Sequence, residues 1–504
     1  MHKNIPLLLS TLIFFLACSD DSSDTAREIL IAKIGNKNIS VNEFIRRAEY
    51  TIRPVYCRSD NYIHRKIVLN SLIAEKLYAL EAGEENELIQ NREVRLYLQG
   101  RKEQAMRQWM YYAEMHDKVE IDSIEIKDVF KVAGRKYTIS YFNVGSVNER
   151  EKIYTELKKE NADFKEIYTT LGGEGEPPTR EIGFQDPESD AIHDALFSQK
   201  HAKGDIVGPV LVSKDNILLM HIDGWTDQVA ITDVQVKDRW QTVRNKIAEK
   251  KANAMFDAYV RDLMSGKSVE FNRRTFEKLV NIVAPQYYKS DTDKREAFNK
   301  KFWNKDRDEM ILDDFSNQMD EIMDEPLLSH EGETWTVRTL QDAIMIHPLV
   351  FRKRQMPKNE FAEQFKLAIV DLIRDQHITE DAYDKGYDRI PEVQRNYAMW
   401  KDNLLALYQK EQFLETIDTA GKSEMEIISD DLTPFTQELT NRYQAEIEIN
   451  TDAFEDIQLT GIDMFVIQRN VPYPVMVPSF PTLTMHDKLD YGRKMITISD
   501  TLDN

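Results

Sequence analysis

Cysteine is almost missing from these 504 residues: there are two, Cys18 and Cys57. Cys18 closes an N-terminal apolar segment, which leaves Cys57 with no internal partner. The fold therefore rests on its cores and not on disulfides. Basic excess is missing too. Against 66 basic residues stand 87 acidic ones, a formal charge of −21. That excludes nucleic-acid binding through a basic face and suits a protein working in an aqueous compartment. After the first 18 residues no segment is long and apolar enough to cross a bilayer. No HExxH, paired CxxC or Gly-x-Ser-x-Gly elbow occurs, and the ten histidines show no metal-ligand spacing. "SGKS" (265–268) and "AGKS" (420–423) lack the glycine a phosphate loop needs five positions earlier, carrying Arg261 and Thr416 instead. No cofactor and no metal is expected. What is present is an apolar content of 41%, enough for real cores, in a length suited to two to four domains.

The N-terminus, "MHKNIPLLLSTLIFFLACSDD", has a weakly basic start and an apolar run from Ile5 to Ala17. That run is too short to span a membrane and fits a secretory signal. "LAC" resembles the bacterial lipobox, which implies acylation of Cys18 after removal of residues 1–18 as a signal peptide. Residues 19–27 then form a polar, acidic tether. The expected location is the outer membrane, on its periplasmic face or at the cell surface.

Two stretches share one order of elements. "ILIAKIGNKNISVNEF" (29–44) and "LLSHEGETWTVRTL" (327–340) each read as a hairpin leading into a capped helix, with Ser40 and Thr336 as caps. "TIRPVYCR" (51–58) is echoed by "MIHPLVFR" (345–352). "VLNSLIAEKLYALEA" (68–82) is echoed by "AIVDLIRDQHITEDA" (368–382), with Leu69, Leu72 and Ile73 against Ile369, Leu372 and Ile373 at helical spacing. A long helix follows, opened by "EV" at 93 and at 392. Both units close on a helix, a short charged strand and an Asn, in 261–276 and in 437–454. Unit one differs by an insertion of roughly 130 residues where unit two has only 415–433.

The insertion runs from the strand "RKYTISYFNV" (135–144) through a helix over 148–171, "REIGFQDP" (180–187) and "DAIHDALF" (190–197). It ends on "KGDIVGPV" (203–210) and the strand "DNILLMHIDGW" (215–225). With "IGF" at 182–184 and "ALF" leading into "GDIVGPV", this order resembles the parvulin family of peptidyl-prolyl isomerases. The flanking unit resembles the chaperone module of SurA-type proteins. The resemblance implies an α+β fold: a mainly helical SurA-like chaperone module, duplicated, with an inserted parvulin-like α/β domain. Module one would comprise 28–130 with 228–285, the parvulin-like domain 131–227, and an amphipathic helical connector 286–326. Module two would be 327–460 without insert, and 461–504 a Pro-rich tail.

Proline isomerisation is slow, and catalysing it needs a groove that holds the ring and stabilises the twisted amide. Active parvulins place two histidines in the groove floor beside a Cys or Asp. The resemblance puts Thr138 at the first histidine position and Leu218 at the second, and no residue of "GGEGEPP" (172–178) matches the Cys or Asp. His221 lies an odd number of residues from Leu218, so strand alternation points it to the other face. Phe184, Ile192 and Phe197 are the candidate substrate-binding residues, placed to line the groove or the core beneath it. The function implied is an envelope lipoprotein chaperone that holds unfolded outer-membrane or secreted proteins, with isomerase activity weak or lost. An active isomerase with a remodelled groove stays open, as does a fixed subunit of an outer-membrane assembly machine. The partners expected are extended, proline- and aromatic-rich polypeptides and, through the lipid, the membrane; nucleic acid is not among them. The tail "NVPYPVMVPSFP" (470–481) favours an extended backbone, either docked on an assembly partner or strapped over its own second unit.

Overall fold

The computed structural model describes residues 29–144, 147–158, 162–186, 188–213, 216–288, 317–353, 356–459 and 472–495. Cys18, the acidic tether and most of the connector lie outside them. Strands are numbered along the chain.

Both predicted hairpins form. β1 (Leu30–Ile34) and β2 (Lys37–Ser40) turn at Gly35, with φ 56°. β8 (Pro326–His330) and β9 (Glu333–Thr336) turn at Glu331 and Gly332, with φ 49° and 84°. Ser40 accepts the Glu43 amide at 3.0 Å to start helix Val41–Glu49. Thr336 and Thr339 form a reciprocal capping box at the start of Val337–Ile346. Each cap satisfies amides that the first helical turn leaves unpaired. Two long helices follow each hairpin: Tyr62–Ala82 and Arg92–Glu114 in unit one, Phe361–Asp384 and Pro391–Leu414 in unit two. The α+β class is as expected.

The closing strands do not return to their own hairpins. β7 (Val269–Phe271) pairs antiparallel with β8, Phe271 opposite Leu328. β10 (Ile447–Ile449) pairs antiparallel with β1, Ile447 opposite Ile34, and is flanked by β11 (Arg493–Lys494). For these strands the grouping of 228–285 with 28–130, and the self-closure of 327–460, give way to a reciprocal exchange. The cause is burial. After β7, Asn272 caps helix Arg273–Tyr287, which packs Leu279 and Val283 against Leu327, Leu340 and Phe365 of unit two. Likewise Asn450 caps the short helix Thr451–Glu455, and Phe454 lands edge-on against Phe44 of unit one, centroids 5.8 Å apart.

The long helices interlock. Val94 and Leu98 pack on Met399 and Trp400, and Met106 and Met110 on Ile378 and Val393. Helix Arg92–Glu114 comes so near the end of Val337–Ile346 that a Cβ on Gly100 would stand 1.8 Å from the Ile346 carbonyl oxygen. Glycine is what permits that approach. Charged groups are buried at the crossing. Arg47 grips Glu75 with two hydrogen bonds of 2.8 and 2.7 Å, both side chains 0% exposed. Lys76 pairs with Glu43 (2.9 Å) and Asp402 (3.1 Å). Burial alone would lower the Lys76 pKa; Glu43, Asp402 and Glu75 outweigh it and hold the ammonium above its usual value.

The insertion is an antiparallel sheet in which β4 (Thr179–Gly183), β3 (Arg135–Val144), β6 (Asn216–Asp227) and β5 (Ile206–Ser213) lie in that order. One face, with Tyr137, Ile139, Leu218, Met220 and Ile222, packs on helices Asp190–Phe197 and Asp233–Leu263. The other, with Phe142, Ile217 and Leu219, packs on Phe164 and Ile167. The single helix expected over 148–171 is two, Val147–Leu157 and Phe164–Thr170. Asp163 starts the second by accepting the Glu166 amide at 2.8 Å; an Asp that caps cannot also sit mid-helix.

The tail is a strap. Tyr473 is buried among Met106, Tyr111 and Phe256 and donates to Asp375 at 3.1 Å. Phe480 and Leu483 enter the core of unit one, and the Ser479 carbonyl accepts from Arg47 at 2.9 Å. The described part, 472–481, thus buries Tyr473 and Phe480 on its own chain, across both units.

Candidate functional site

Of the residues assigned to an isomerase groove, Leu218, Phe184, Ile192 and Phe197 share one closed core and Thr138 stands apart from them. Along β3 and β6 the register pairs Leu218 with Asn143 and Thr138 with Gly224. Asn143 stands an odd number of residues from Thr138, so Thr138 and Leu218 project from opposite faces. Leu218 is core beneath helix Asp190–Phe197. Phe184, Ile192 and Phe197 are buried in the same core, at 6%, 6% and 2% exposure. Phe184 and Phe197 meet edge to face at 5.4 Å, and Tyr137 lies 5.5 Å from Phe197. A groove for a proline ring must be open; these rings close on one another.

The histidines nearby are structural. His193 donates Nε2–H to the Phe184 carbonyl at 3.1 Å; burial, then Lys246, push its pKa below the usual 6.5, so the ring stays neutral. His201 donates to the Ala195 carbonyl at 2.7 Å. His221 points to the face away from Leu218, as strand alternation requires. It meets the Phe164 ring at 5.4 Å and Asp223 at 2.7 Å. Ser140 donates to the other oxygen of Asp223, also at 2.7 Å. The carboxylate stands between the hydroxyl and the imidazole, so the trio lacks the serine–histidine contact that activates a nucleophile.

Large apolar side chains are exposed elsewhere in the molecule. Ile52 and Val55 are 80% and 76% exposed, and Tyr62 and Ile63, a few residues further along the chain, are exposed as well. In the matching segment of unit two, Leu349 occupies the place of Val55 and is 1% exposed. The copies therefore differ at this one position, while Ile346, the counterpart of Ile52, is half-buried and Val350 of unit two is itself 69% exposed. Unit one holds this segment by Arg53, which donates to the Cys57 carbonyl at 2.7 Å, and by Cys57 itself, fully buried. Burial, opposed by Arg53 and Arg58, pushes the Cys57 thiol up to about 12, so it is inert. Tyr62 also borders a groove of about 290 Å³ with Lys66, Phe454, Lys488 and Leu489. Its ring carries the Lys66 ammonium at 4.2 Å. A rim of this kind can hold apolar side chains of an extended peptide and has no group placed for bond chemistry. Sequence reading missed it because its signal is a difference between copies: Val55 against Leu349.

No known protein family's profile matches the chain, and no curated protein matches it. Among solved structures it is similar to the crystal structure of foldase protein PrsA from Streptococcus pneumoniae str. Canada MDR_19A. The identity is 11%, the match covers 53% of this chain and 97% of that one, and the TM-score is 0.20. The likeness to a foldase is a loose one.

Proposed function

We propose that this protein is an envelope lipoprotein chaperone of the SurA–parvulin type. Its two hairpin-led units are read as a duplicated chaperone module, and the four-stranded insertion as a parvulin-like domain with weak or no isomerase activity. Unfolded outer-membrane or secreted chains are held along the apolar rim of unit one, which keeps their strand edges from pairing with one another. The observation that carries this reading is the exposure of Ile52 and Val55, the second of which has a buried counterpart, Leu349, in the other copy. Weak isomerase activity is supported by the buried Phe184, Ile192 and Phe197 and by the opposite faces of Thr138 and Leu218. Anchoring through Cys18 rests on the lipobox-like sequence.

The test is suppression of aggregation of a chemically unfolded outer-membrane protein by the full chain, compared with its Ile52→Asp/Val55→Asp variant. Both side chains are exposed, so folding stability should change by no more than about 0.5 kcal/mol. Losing about 1 kcal/mol of client contact weakens holding about fivefold. Equal suppression by the variant would remove the rim from the mechanism. Proline-peptide isomerisation, catalysed by the full chain and lost on changing Ile192 or Phe197, would favour the active-isomerase reading instead.

A further inference from the structure

Where unit one closes its hairpin on a helix with Ile34 and Leu77, both fully buried, unit two has His330 and His377. The Nε2 atoms of those two rings lie 2.7 Å apart. Their other nitrogens are committed. His330 Nδ1 faces the Ser268 carbonyl at 2.9 Å, and a carbonyl only accepts, so Nδ1 carries the hydrogen. His377 Nδ1 faces the Glu380 carboxylate at 3.1 Å and donates likewise. Each neutral ring is then left with its Nε2 lone pair aimed at the other's. Two lone pairs at this distance repel, so a positive centre belongs between them. A partner carboxylate is in reach: Glu331 Oε2 lies 3.8 Å from His330 Nε2 and 3.6 Å from His377 Nε2. Its other oxygen is paired with Lys267. Glu331 holds this place at φ 49°, the one positive φ outside glycine among the described residues, at a turn position that unit one gives to Gly35. Such a conformation is uncommon for Glu.

We propose that His330, His377 and Glu331 form a binding site for a divalent transition-metal ion of the zinc class. Two imidazoles and a carboxylate, with each Nδ1–H fixed by a carbonyl or carboxylate behind it, are a zinc donor set with its supporting shell. At metal–nitrogen distances of about 2.0–2.1 Å, tetrahedral binding sets the nitrogens roughly 3.4 Å apart. The pair must therefore spread by roughly 0.7 Å and the carboxylate close by a few tenths. A fourth position is left for water. The ion would pin β8 to helix Phe361–Asp384 at the point where the segment leading into β7 arrives from unit one. In unit one an apolar contact does that work.

The test uses the full chain stripped by a chelator and titrated with Zn²⁺ by calorimetry, and with Co²⁺ followed by its visible absorption. One equivalent is expected, with a tetrahedral Co²⁺ spectrum and a rise in the thermal midpoint. His377→Gln, on the more exposed ring, is expected to weaken binding by about tenfold or more. His64→Ala, in the other unit, should leave it unchanged. If His330→Ala fails to fold, His377→Gln and Glu331→Gln still decide the matter. No saturable binding by the unaltered chain, or equal binding by His377→Gln, overturns the site and leaves the two rings sharing a proton.

Discussion

Removing Arg47 tests how the two units are joined. Its guanidinium makes two hydrogen bonds to Glu75 and one to the Ser479 carbonyl, with no solvent exposure. Asn403, on helix Pro391–Leu414 of unit two, donates to the same Glu75 carboxylate at 2.7 Å. Four separated segments thus meet on one ion pair: helices Val41–Glu49, Tyr62–Ala82 and Pro391–Leu414, and the tail. Unit charges about 4 Å apart attract by ~4 kcal/mol at an effective dielectric near 20. Breaking a buried pair from one side costs about 3–5 kcal/mol, because the remaining charge stays buried. Arg47→Met should therefore lose about 4 kcal/mol in urea unfolding, and Glu75→Leu a similar amount. The double variant should lose less than either alone, since no charge is stranded. A double-mutant cycle reads the difference directly. If the coupling is under ~1 kcal/mol, the pair is not closed to water and the joint between the units lies elsewhere.

Two further outcomes follow from close packing and from buried imidazoles. Gly→Ala in an open helix gains about 1 kcal/mol, but at Gly100 the new methyl meets the Ile346 backbone. Overpacking there should cost about 1–3 kcal/mol net, read as a lowered thermal midpoint; a raised midpoint would show that the helices stand apart. His193 is held below 6.5 by burial and Lys246, and His347 by burial and Arg107 against the opposing pull of Glu103. The unfolded chain therefore takes up these protons first as pH falls. The stability they supply is complete above about 6.5 and is lost below it. Urea midpoints taken at pH 7.5 and 5.5 should fall less in His193→Phe than in the unaltered chain, and an equal fall would mean that His193 titrates normally.

Local signals were legible in the sequence; choices between like partners were not. The hairpins, the Ser40 and Thr336 caps and the starts of the long helices depend on residues a few positions apart, and all formed. The exchange of β7 and β10 depends on where the next helix buries Leu279 or Phe454, which two similar hairpins cannot reveal. Asp163 carries a residue type that starts helices, but the apolar periodicity of 148–171 runs across it. Arg47, Glu75 and Asn403 look like a solvated face until the tail covers them. At the sites, a motif cannot show which faces Thr138 and Leu218 take; the strand register does, and they face apart. His330 and His377 stand 47 positions apart, but setting the copies side by side places them over Ile34 and Leu77, a swap visible in the letters alone.

The exchange also explains why the molecule carries so many buried polar contacts far from any reacting group. A unit closed by its own strand needs only its own core. Here each hairpin waits for a strand that arrives through the other unit, so the order in which segments come together matters. The groups that pair across the joint, Glu75 with Asn403, Lys76 with Asp402, and Arg107 with Thr379 at 2.6 Å, are directional and unsatisfied until the right partner arrives. Apolar contacts alone would let either hairpin accept either closing strand, since β7 and β10 are both three residues long. Buried pairs cost more when mismatched than they yield when matched. At this joint that asymmetry favours one pairing of strands over the other, and the strap from Tyr473 to Leu483 then closes over the result.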